Sequence, residues 1–273
     1  MIARTRRPRH HRLMPEEPFF RPTDDGFEPT PSCRGPWGPT TLHGRVVAGL
    51  LAHEAESNWG SEGFRAARMT IDLYRMPVFA PVQVRSSAAR EGRRIKVVDT
   101  EFINGGKSAG RASIVFLAES KNPPGEIWTP GTWDTPHPTT LPPPPPPSSD
   151  AKWKPIWETR PVGGGFRVVD QKRAWIRETR ELVEGVPLTP LLRVALGADL
   201  TSPLANSGSG GLQYLNADIT FYIHRYPDGE WVGFETIDHQ ATDGIAFGSC
   251  RLYDEVGPIG TSAVTALHTP RED

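Results

Sequence analysis

The sequence predicts an α+β protein with two similar halves, each made of one helix packed on an antiparallel sheet. Two strand-like segments end in the same Arg-x-Pro pattern, at Arg75 and Arg225, which lie 150 positions apart. The turn signals after them repeat at nearly the same offset, with Gly92 matching Gly244 after 152 positions. A repeat of this length indicates a duplicated structural unit, and a site can form where two such units meet.

Length and composition narrow the class of protein. The chain has 273 residues, enough for about two domains, and 37% of them are hydrophobic. Its net charge of −1 gives no general attraction to nucleic acid, which we do not expect as a partner. Cys33 and Cys250 lack metal-ligand or disulfide spacing, so we expect no metal, no cofactor and a cytoplasmic location. No apolar run approaches the roughly 18 residues of a membrane span.

Changes in composition divide the chain into five segments. The first 36 residues are polar and proline-rich, which predicts an irregular tail. The basic run Met1 to Leu13 is either a nucleic-acid-binding arm or, as we favour, a solvated tail. Pro142 to Pro147 indicates a polyproline II spacer of roughly 20 Å. The expected segments are a tail (1–36), a first unit (37–120), a Pro-rich linker (121–150), a second unit (151–268) and a short tail (269–273).

The first unit begins with an amphipathic helix. Either Thr40 or Thr41 is a suitable N-cap, and the helix weakens near Asn58 to Gly60. Alternating residues and turn signals then predict an antiparallel meander. The apolar stripe of the helix comprises Val46, Val47, Leu50, Leu51 and Ala55. The expected strands cover 69–73, 82–89, 95–103 and 112–118.

The second unit repeats this order. A short strand is expected at Trp175 to Leu182, and Pro190 starts a helix whose stripe matches the first at an offset of 145. That alignment pairs Glu54 with Asp199. The loop Thr201 to Gly211 separates the helix from strands at 217–225, 230–238, 245–254 and 259–267. Because each helix carries one broad apolar stripe, it must bury that stripe on the sheet.

Four short segments together resemble a known family. They are Leu42–Ala48 at the helix start, Arg90–Val98, the stretch from Asp218 through His224-Arg225 to Glu230-Trp231, and Leu252–Gly260. Their order and spacing resemble the bacterial acyl-CoA thioesterase II family and its actinobacterial thioesterase-like relatives. The resemblance implies a double hotdog fold, with two antiparallel sheets each wrapped on a central helix. It also implies an acyl-CoA substrate and a possible homodimer.

The resemblance implies a set of residues that hold a water molecule: an Asp, a Thr or Ser, and a Gln. No serine or cysteine has the setting of a nucleophile, which favours direct attack by water. Asp218 matches the family Asp, although an Asx-turn at the strand start is an alternative role. The Gln is missing, and Val264 or Thr265 takes its place.

Candidates for the remaining water ligands lie in the last strands. Thr236, Thr242 or Thr265 can supply the hydroxyl. Gln240 is a possible substitute for the missing amide, the alternative being an exposed strand end.

The start of the first helix is a second candidate region. Free N–H groups near Gly44 can bind a thioester oxygen, or Gly44 can serve close packing of helix on sheet. We favour a structural role for His43 over that of a general base. Arg45, with Arg93 or Arg94, is a candidate contact for the phosphates of CoA. Glu54 is either the acid that related proteins carry on this helix or, as we favour, a solvated residue.

The expected function is hydrolysis of an acyl-CoA thioester by direct water attack, at a single site between the two repeats. The alternative is a non-catalytic module that binds acyl-CoA or assembles with other proteins and has lost the water site.

Overall fold

One face of a long antiparallel sheet carries the helices in the computed structural model of the protein. The structure describes residues 16–131, 134–146, 156–165 and 167–269. The strands are β1 (Phe20–Thr23), β2 (Gly26–Pro29), β3 (Phe64–Asp72), β4 (Val82–Glu91), β5 (Ile95–Asn104), β6 (Lys107–Ala118), β7 (Glu158–Gly163), β8 (Arg173–Arg177), β9 (Ser207–Gly208), β10 (Gly211–Leu212), β11 (Tyr214–Asn216), β12 (Asp218–Ile223), β13 (Trp231–Thr242), β14 (Ile245–Tyr253) and β15 (Pro258–His268). The helices are α1 (Gly44–Trp59), α2 (Pro190–Ala198) and α3 (Thr201–Asn206).

The main sheet has thirteen strands and joins the two halves of the chain. β9 and β10 form a separate pair, and β11 lies beside β15. The order across the main sheet is β1-β2-β4-β5-β6-β3-β12-β15-β14-β13-β8-β7. The two predicted sheets are therefore continuous, with their seam between β3 of the first half and β12 of the second.

The seam has internal two-fold symmetry. Thr70 lies directly opposite Thr220, and the two residues are also 150 positions apart, the offset of the sequence repeat. The flanking pairs are Ile71 with Ile219 and Met69 with Phe221. Exchanging the repeats maps this set of pairs onto itself, so a pseudo-two-fold axis passes between Thr70 and Thr220. The two halves are thus joined like the subunits of a symmetric dimer.

The two long helices pack against each other on the inner face of the sheet. The predicted stripe of α1 is buried, and so is that of α2, which begins at Pro190 as expected. A β-carbon at Gly49 would lie 2.8 Å from Leu196 Cδ2, so a larger residue there would displace the Leu196 side chain. The core of both halves is continuous across the helix pair.

The structure differs from the sequence prediction at the start of α1. The N-cap is His43, whereas Thr40 and Thr41 lie outside the helix. Thr41 forms an isolated β-bridge with Val78, and its hydroxyl donates to the Gly38 carbonyl at 3.0 Å. Its side chain is therefore engaged before the helix begins.

Two segments expected to be irregular contain regular structure. Within residues 1–36, β1 and β2 form a hairpin because Phe19 and Phe20 are buried in the core, a tertiary effect invisible in composition. The loop Thr201 to Gly211 contains α3 and the β9–β10 pair. The strand expected at Trp175 to Leu182 ends earlier, at Arg177. Met1 to Leu13, Pro147 and the last four residues lie outside the described residues.

Candidate active site

A bulge at the start of β12 gives Asp218 its hydrogen bonds. β11 and β12 both pair with β15, but the register shifts by one residue at Ala217. Asp218 Oδ1 accepts from the Thr265 amide at 2.5 Å and from the Thr265 hydroxyl at 2.6 Å. One carboxylate oxygen thus replaces a backbone acceptor at the bulge and holds the threonine hydroxyl. Asp218 therefore has a structural role at the start of β12, as in the alternative that the sequence analysis gave for it.

Asp218 and Thr265 belong to the outer face of the sheet. Ile219 and Phe221, which alternate with Asp218 along β12, are buried on the helix side. Thr265 is exposed, whereas Val264 beside it is buried in the core. Of the two residues that the sequence left open for the place of the glutamine, Thr265 is therefore the one on the same face as Asp218.

The pair lies in a row of residues that crosses the sheet and is polar except for Phe247. Apart from the step between Asp218 and Thr265, each member is directly opposite the next on the neighbouring strand, and all face outward. The row reads Arg85, Glu101, Arg111, Asp72, Asp218, Thr265, Phe247 and Gln240, with Asp218 and Thr265 joined by the hydrogen bonds above. It contains three of the residues singled out in the sequence: Asp218, Thr265 and Gln240.

Two carboxylates meet at the seam between the halves. Asp72 on β3 lies directly opposite Asp218 on β12. Like charges in this position destabilise a strand pair. Arg111 offsets part of the cost, because its Nε donates to Asp72 Oδ2 at 2.7 Å. An arrangement that costs stability in an exposed position is more often retained for function than for folding.

The other two threonines are not brought to Asp218. Thr236 lies on β13, where its hydroxyl is 3.9 Å from the Cys250 sulfur. Thr242 is exposed at the end of β13, beside the Asp243-Gly244 turn in which both residues have positive φ. Of the three candidate threonines, Thr265 is the one that contacts Asp218.

Gln240 reaches the same row from β13. Phe247 separates it from Thr265, so the two backbones are about 10 Å apart, or two strand spacings. The Gln240 amide nitrogen donates to Asp238 Oδ1 at 3.2 Å, which uses one of its two N–H groups.

The residues at the start of α1 form a separate cluster on the inner face. His43 Nδ1 lies 3.0 Å from Asp199 Oδ2, and the Asn216 amide donates to Asp199 Oδ1 at 3.0 Å. His43 Nδ1 also lies 3.4 Å from the Arg45 backbone nitrogen, so this ring nitrogen faces both the Asp199 carboxylate and the first turn of α1. A β-carbon at Gly44 would be 2.9 Å from Asp199 Oδ1. The carboxylate of Asp199 therefore occupies the positive end of α1, and the sheet separates this cluster from Asp218.

The helix pair makes a similar contact at its other end. The Thr189 hydroxyl, which accepts from the Leu192 amide as N-cap of α2, donates to Glu56 Oε2 of α1 at 2.6 Å. Each long helix thus supplies a carboxylate from its C-terminal end to the N-cap of the other. This reciprocity gives a structural account of both His43 and Gly44.

The pKa values of the two carboxylates are shifted in opposite directions, although burial raises both. Burial raises the pKa of Asp199, but hydrogen bonds from His43 and Asn216 and the charge of Arg45 outweigh it, so the pKa lies below its usual value. Burial raises the pKa of Glu56, and the Thr189 hydrogen bond offsets only part of this. Asp199 is therefore a stably ionised anchor between the halves.

Arg45 and Glu54 are engaged within the protein. Arg45 is 1% exposed and pairs with Glu178, so a phosphate outside the protein cannot reach it, and we correct the expectation that it binds CoA. Glu54 is partly buried rather than solvated, and it accepts from the Ser86 hydroxyl at 2.8 Å. Neither residue contacts Asp218.

Three residues of these two clusters were not among the sequence-based candidates. They are Asp72, Asn216 and Asp199, which is the partner of His43. The repeat alignment paired Asp199 with Glu54 and so carried a signal for an acid on each helix. The contact between Asp72 and Asp218 depends on the antiparallel register at the seam, which no local pattern encodes. Among the described residues, no three His, Cys, Asp or Glu side chains converge as a metal site would require.

Two family models match the chain in succession. The model described as the acyl-CoA thioesterase N-terminal domain matches residues 33–117, and that of the acyl-CoA thioesterase C-terminal domain matches 136–267. No curated protein matches the chain significantly. Within the described residues, no helix is long and apolar enough to cross a membrane.

Solved structures with the same fold cover most of the chain. A protein of unknown function with a hot dog fold from Alicyclobacillus acidocaldarius is 14% identical, with a TM-score of 0.68 over 87% of this chain and 90% of that one. The TesB protein of Mycobacterium avium subspecies paratuberculosis is 15% identical, with a TM-score of 0.64 over 87% and 91%. The acyl-CoA thioesterase II TesB2 of Mycobacterium marinum is 15% identical, with a TM-score of 0.58 over 84% and 90%. These similarities confirm the double hotdog fold.

Proposed function

The chain belongs to the acyl-CoA thioesterase family, a family of thioester hydrolases, and we propose that it hydrolyses acyl-CoA by direct attack of water at the pair Asp218–Thr265. The observation that carries this proposal is the double hydrogen bond from Thr265 to Asp218 Oδ1. It fixes the carboxylate on the outer face of the sheet through Oδ1, and Oδ2 takes no part in either bond. The site is single, because the equivalent position in the first repeat is Arg68.

Asp218 acts as the general base in this mechanism. Oδ2 accepts a proton from a water molecule as the water oxygen forms a bond to the thioester carbonyl carbon. The carbonyl becomes a tetrahedral oxyanion. Its collapse breaks the carbon–sulfur bond, and the departing thiolate takes up the proton, giving a carboxylic acid and free CoA. Thr265 keeps Asp218 in place throughout, through its amide and hydroxyl.

Gln240 is the proposed donor to the oxyanion. Its second amide N–H is available after the bond to Asp238, and it lies across Phe247 from Thr265. A thioester held beside Asp218 and against Phe247 has the carboxylate next to its carbonyl and Gln240 on the far side of Phe247. An amide donor aimed at the developing negative charge stabilises the transition state more than the ground state.

Apolar residues beside this position suit the acyl chain. Phe247, Ile245 and Leu267 are 40%, 68% and 48% exposed, which is unusual for three adjacent large side chains. Ile245 and Leu267 lie opposite each other, and Phe247 lies opposite Thr265. Burying this patch under an acyl chain contributes binding energy of roughly 25 cal/mol per Å² of apolar surface.

The test is release of free CoA thiol from a panel of short, long and aromatic acyl-CoAs by the wild-type protein. We expect turnover with at least one member of the panel. Tight binding of acyl-CoA without turnover contradicts the proposal and favours the alternative of a binding module that has lost its water site. Calorimetric titration of the same panel separates these two outcomes.

A further inference from the structure

A groove on the outer face of the first half ends beside Asp218. Its volume is about 750 Å³, and it lies over β3, β4, β5 and β6. Asp72 is one of the residues that line it, and directly opposite Asp72 across the seam is Asp218. The groove therefore continues from the proposed reaction position, on the side away from the apolar patch.

Three arginines line the groove: Arg68, Arg85 and Arg111. Arg85 and Arg111 flank Glu101 in the polar row, and Arg111 also pairs with Asp72. The charges of these two arginines are therefore balanced by carboxylates of the same row.

Arg68 differs from them because its neighbours carry no charge. It lies opposite Val115 on one side and Tyr222 on the other. Within the described part of the chain it forms no ion pair, and its buried Nε has no hydrogen-bond partner. One terminal nitrogen donates to the Ser113 hydroxyl at 3.3 Å. The groove is also lined by the carboxylates of Asp72, Asp99 and Glu101, but none of them pairs with Arg68. A guanidinium without a paired carboxylate is suited to an anion that comes from outside.

The two repeats have diverged in a complementary way at this position. Arg68 is the repeat equivalent of Asp218, and the pseudo-two-fold axis between Thr70 and Thr220 relates the two residues. The neighbouring strands do not repeat the whole pair, because Ser113 lies opposite Thr70 as Ala263 lies opposite Thr220, and Val115 lies opposite Arg68. An acid in one copy is thus a guanidinium in the other, on the same face of one sheet, and each bonds a hydroxyl on a neighbouring strand.

The spacing between the two pairs suits the substrate. Arg68 lies opposite Tyr222, four residues beyond Asp218 on β12, which is about 13 Å along the strand. The pantetheine arm between the thioester and the first phosphate of CoA contains two amide units. It is about as long as four extended residues, or roughly 14 Å.

We propose that Arg68 binds the phosphate groups of CoA in this groove while the thioester lies at Asp218. The proposal rests on the proposed function for the identity of the substrate. It assigns one copy of the repeat to the reaction and the other to recognition of the nucleotide end. Tyr222, which is 56% exposed and opposite Arg68, is placed to contact the same part of the substrate.

The first test is calorimetric titration of free CoA into the wild type, Arg68→Ala, Arg68→Lys and Arg167→Ala. Arg167 is exposed in the loop between β7 and β8, so its substitution removes the same charge elsewhere. We expect Arg68→Ala to weaken CoA binding about 10-fold, Arg68→Lys to weaken it less, and Arg167→Ala to leave it unchanged. Equal affinity in all four proteins overturns the proposal, whether or not the protein hydrolyses thioesters.

The second test compares an acyl-CoA with the matching acyl-pantetheine, which lacks phosphate. Arg68→Ala is expected to raise KM for the acyl-CoA and to leave kcat and the kinetics of acyl-pantetheine unchanged. An equal loss on both substrates contradicts a role in phosphate binding. Hydrolysis of acyl-pantetheine by the wild type tests the reaction independently, so failure of the proposed function is distinguishable from failure of the phosphate site.

Discussion

Thr70 and Thr220 face each other across the seam of the sheet, with their hydroxyls 3.3 Å apart. The pair marks the axis that relates the two repeats. Asp218 lies two residues before Thr220 on β12, and Arg68 lies two residues before Thr70 on β3. The axis therefore relates Asp218 to Arg68. The duplication therefore produced two equivalent positions on one exposed face, and these positions have acquired opposite charges.

Thr265 is predicted to be the threonine that assists Asp218. Thr265→Val removes the hydroxyl but keeps the amide donor, so we expect kcat to fall roughly 10-fold with little loss of stability. Thr265→Ser is expected to restore most of the rate. The controls are Thr236→Val and Thr242→Val, which alter hydroxyls that do not contact Asp218 and are expected to leave kcat unchanged. If kcat falls further in either control than in Thr265→Val, the assisting hydroxyl belongs to that control residue and not to Thr265.

Gln240 is predicted to stabilise the oxyanion. Removal of one such donor in an acyl-transfer enzyme typically lowers kcat about 10²- to 10³-fold, and we expect Gln240→Ala to fall at the lower end because the residue is exposed. KM is expected to change little. Gln83→Ala, on an exposed strand position of the first half, is the matched control. Unchanged kcat in Gln240→Ala removes this residue from the mechanism.

Asp199 is predicted to stabilise the fold rather than to act in the reaction. Asp199→Asn leaves His43 without its buried carboxylate, while Arg45 keeps its pair with Glu178, and we expect a cost of about 3 kcal/mol of unfolding free energy. Urea unfolding measures this cost, with Asp170→Asn, an exposed loop carboxylate, as the control. The folded fraction of Asp199→Asn is expected to keep the wild-type kcat. A lower kcat in fully folded Asp199→Asn would contradict this prediction.

Stability is predicted to fall in acid partly through Asp199. Because its pKa is lower in the folded protein than in the unfolded chain, the folded state gains stability above the ordinary aspartate pKa of about 3.9. That gain is lost as the pH falls through the folded pKa. Unfolding free energies measured between about pH 5 and pH 3 are expected to decline less steeply in Asp199→Asn than in the wild type. If the two curves of unfolding free energy against pH run parallel, Asp199 does not contribute to the loss of stability in acid.

Much of the fold could be predicted because it is written in local patterns. The apolar stripes of α1 and α2, the alternation in β12 and the Asp243-Gly244 turn each depend on neighbouring residues. The hairpin Phe20–Pro29 was missed because its formation depends on burial of Phe19 and Phe20 against distant parts of the chain.

The candidate site was predictable only in part. The family resemblance pointed to Asp218 and left Val264 or Thr265 open as its neighbour, since a shift of one residue moves a side chain to the other face. The contacts of Asp218 with Asp72 and of His43 with Asp199 join residues far apart in sequence. Such contacts follow from how the halves pair, and a single sequence does not specify that register.

The most direct test of the central claim is the kcat of Asp218→Asn for release of CoA thiol, measured beside Asp170→Asn. Asparagine keeps the oxygen that accepts from Thr265, so the bulge is preserved while the base is lost. The account predicts a fall in kcat of about 10²- to 10⁴-fold with CoA affinity unchanged, and no effect of Asp170→Asn. Turnover by Asp218→Asn at the wild-type rate would contradict it.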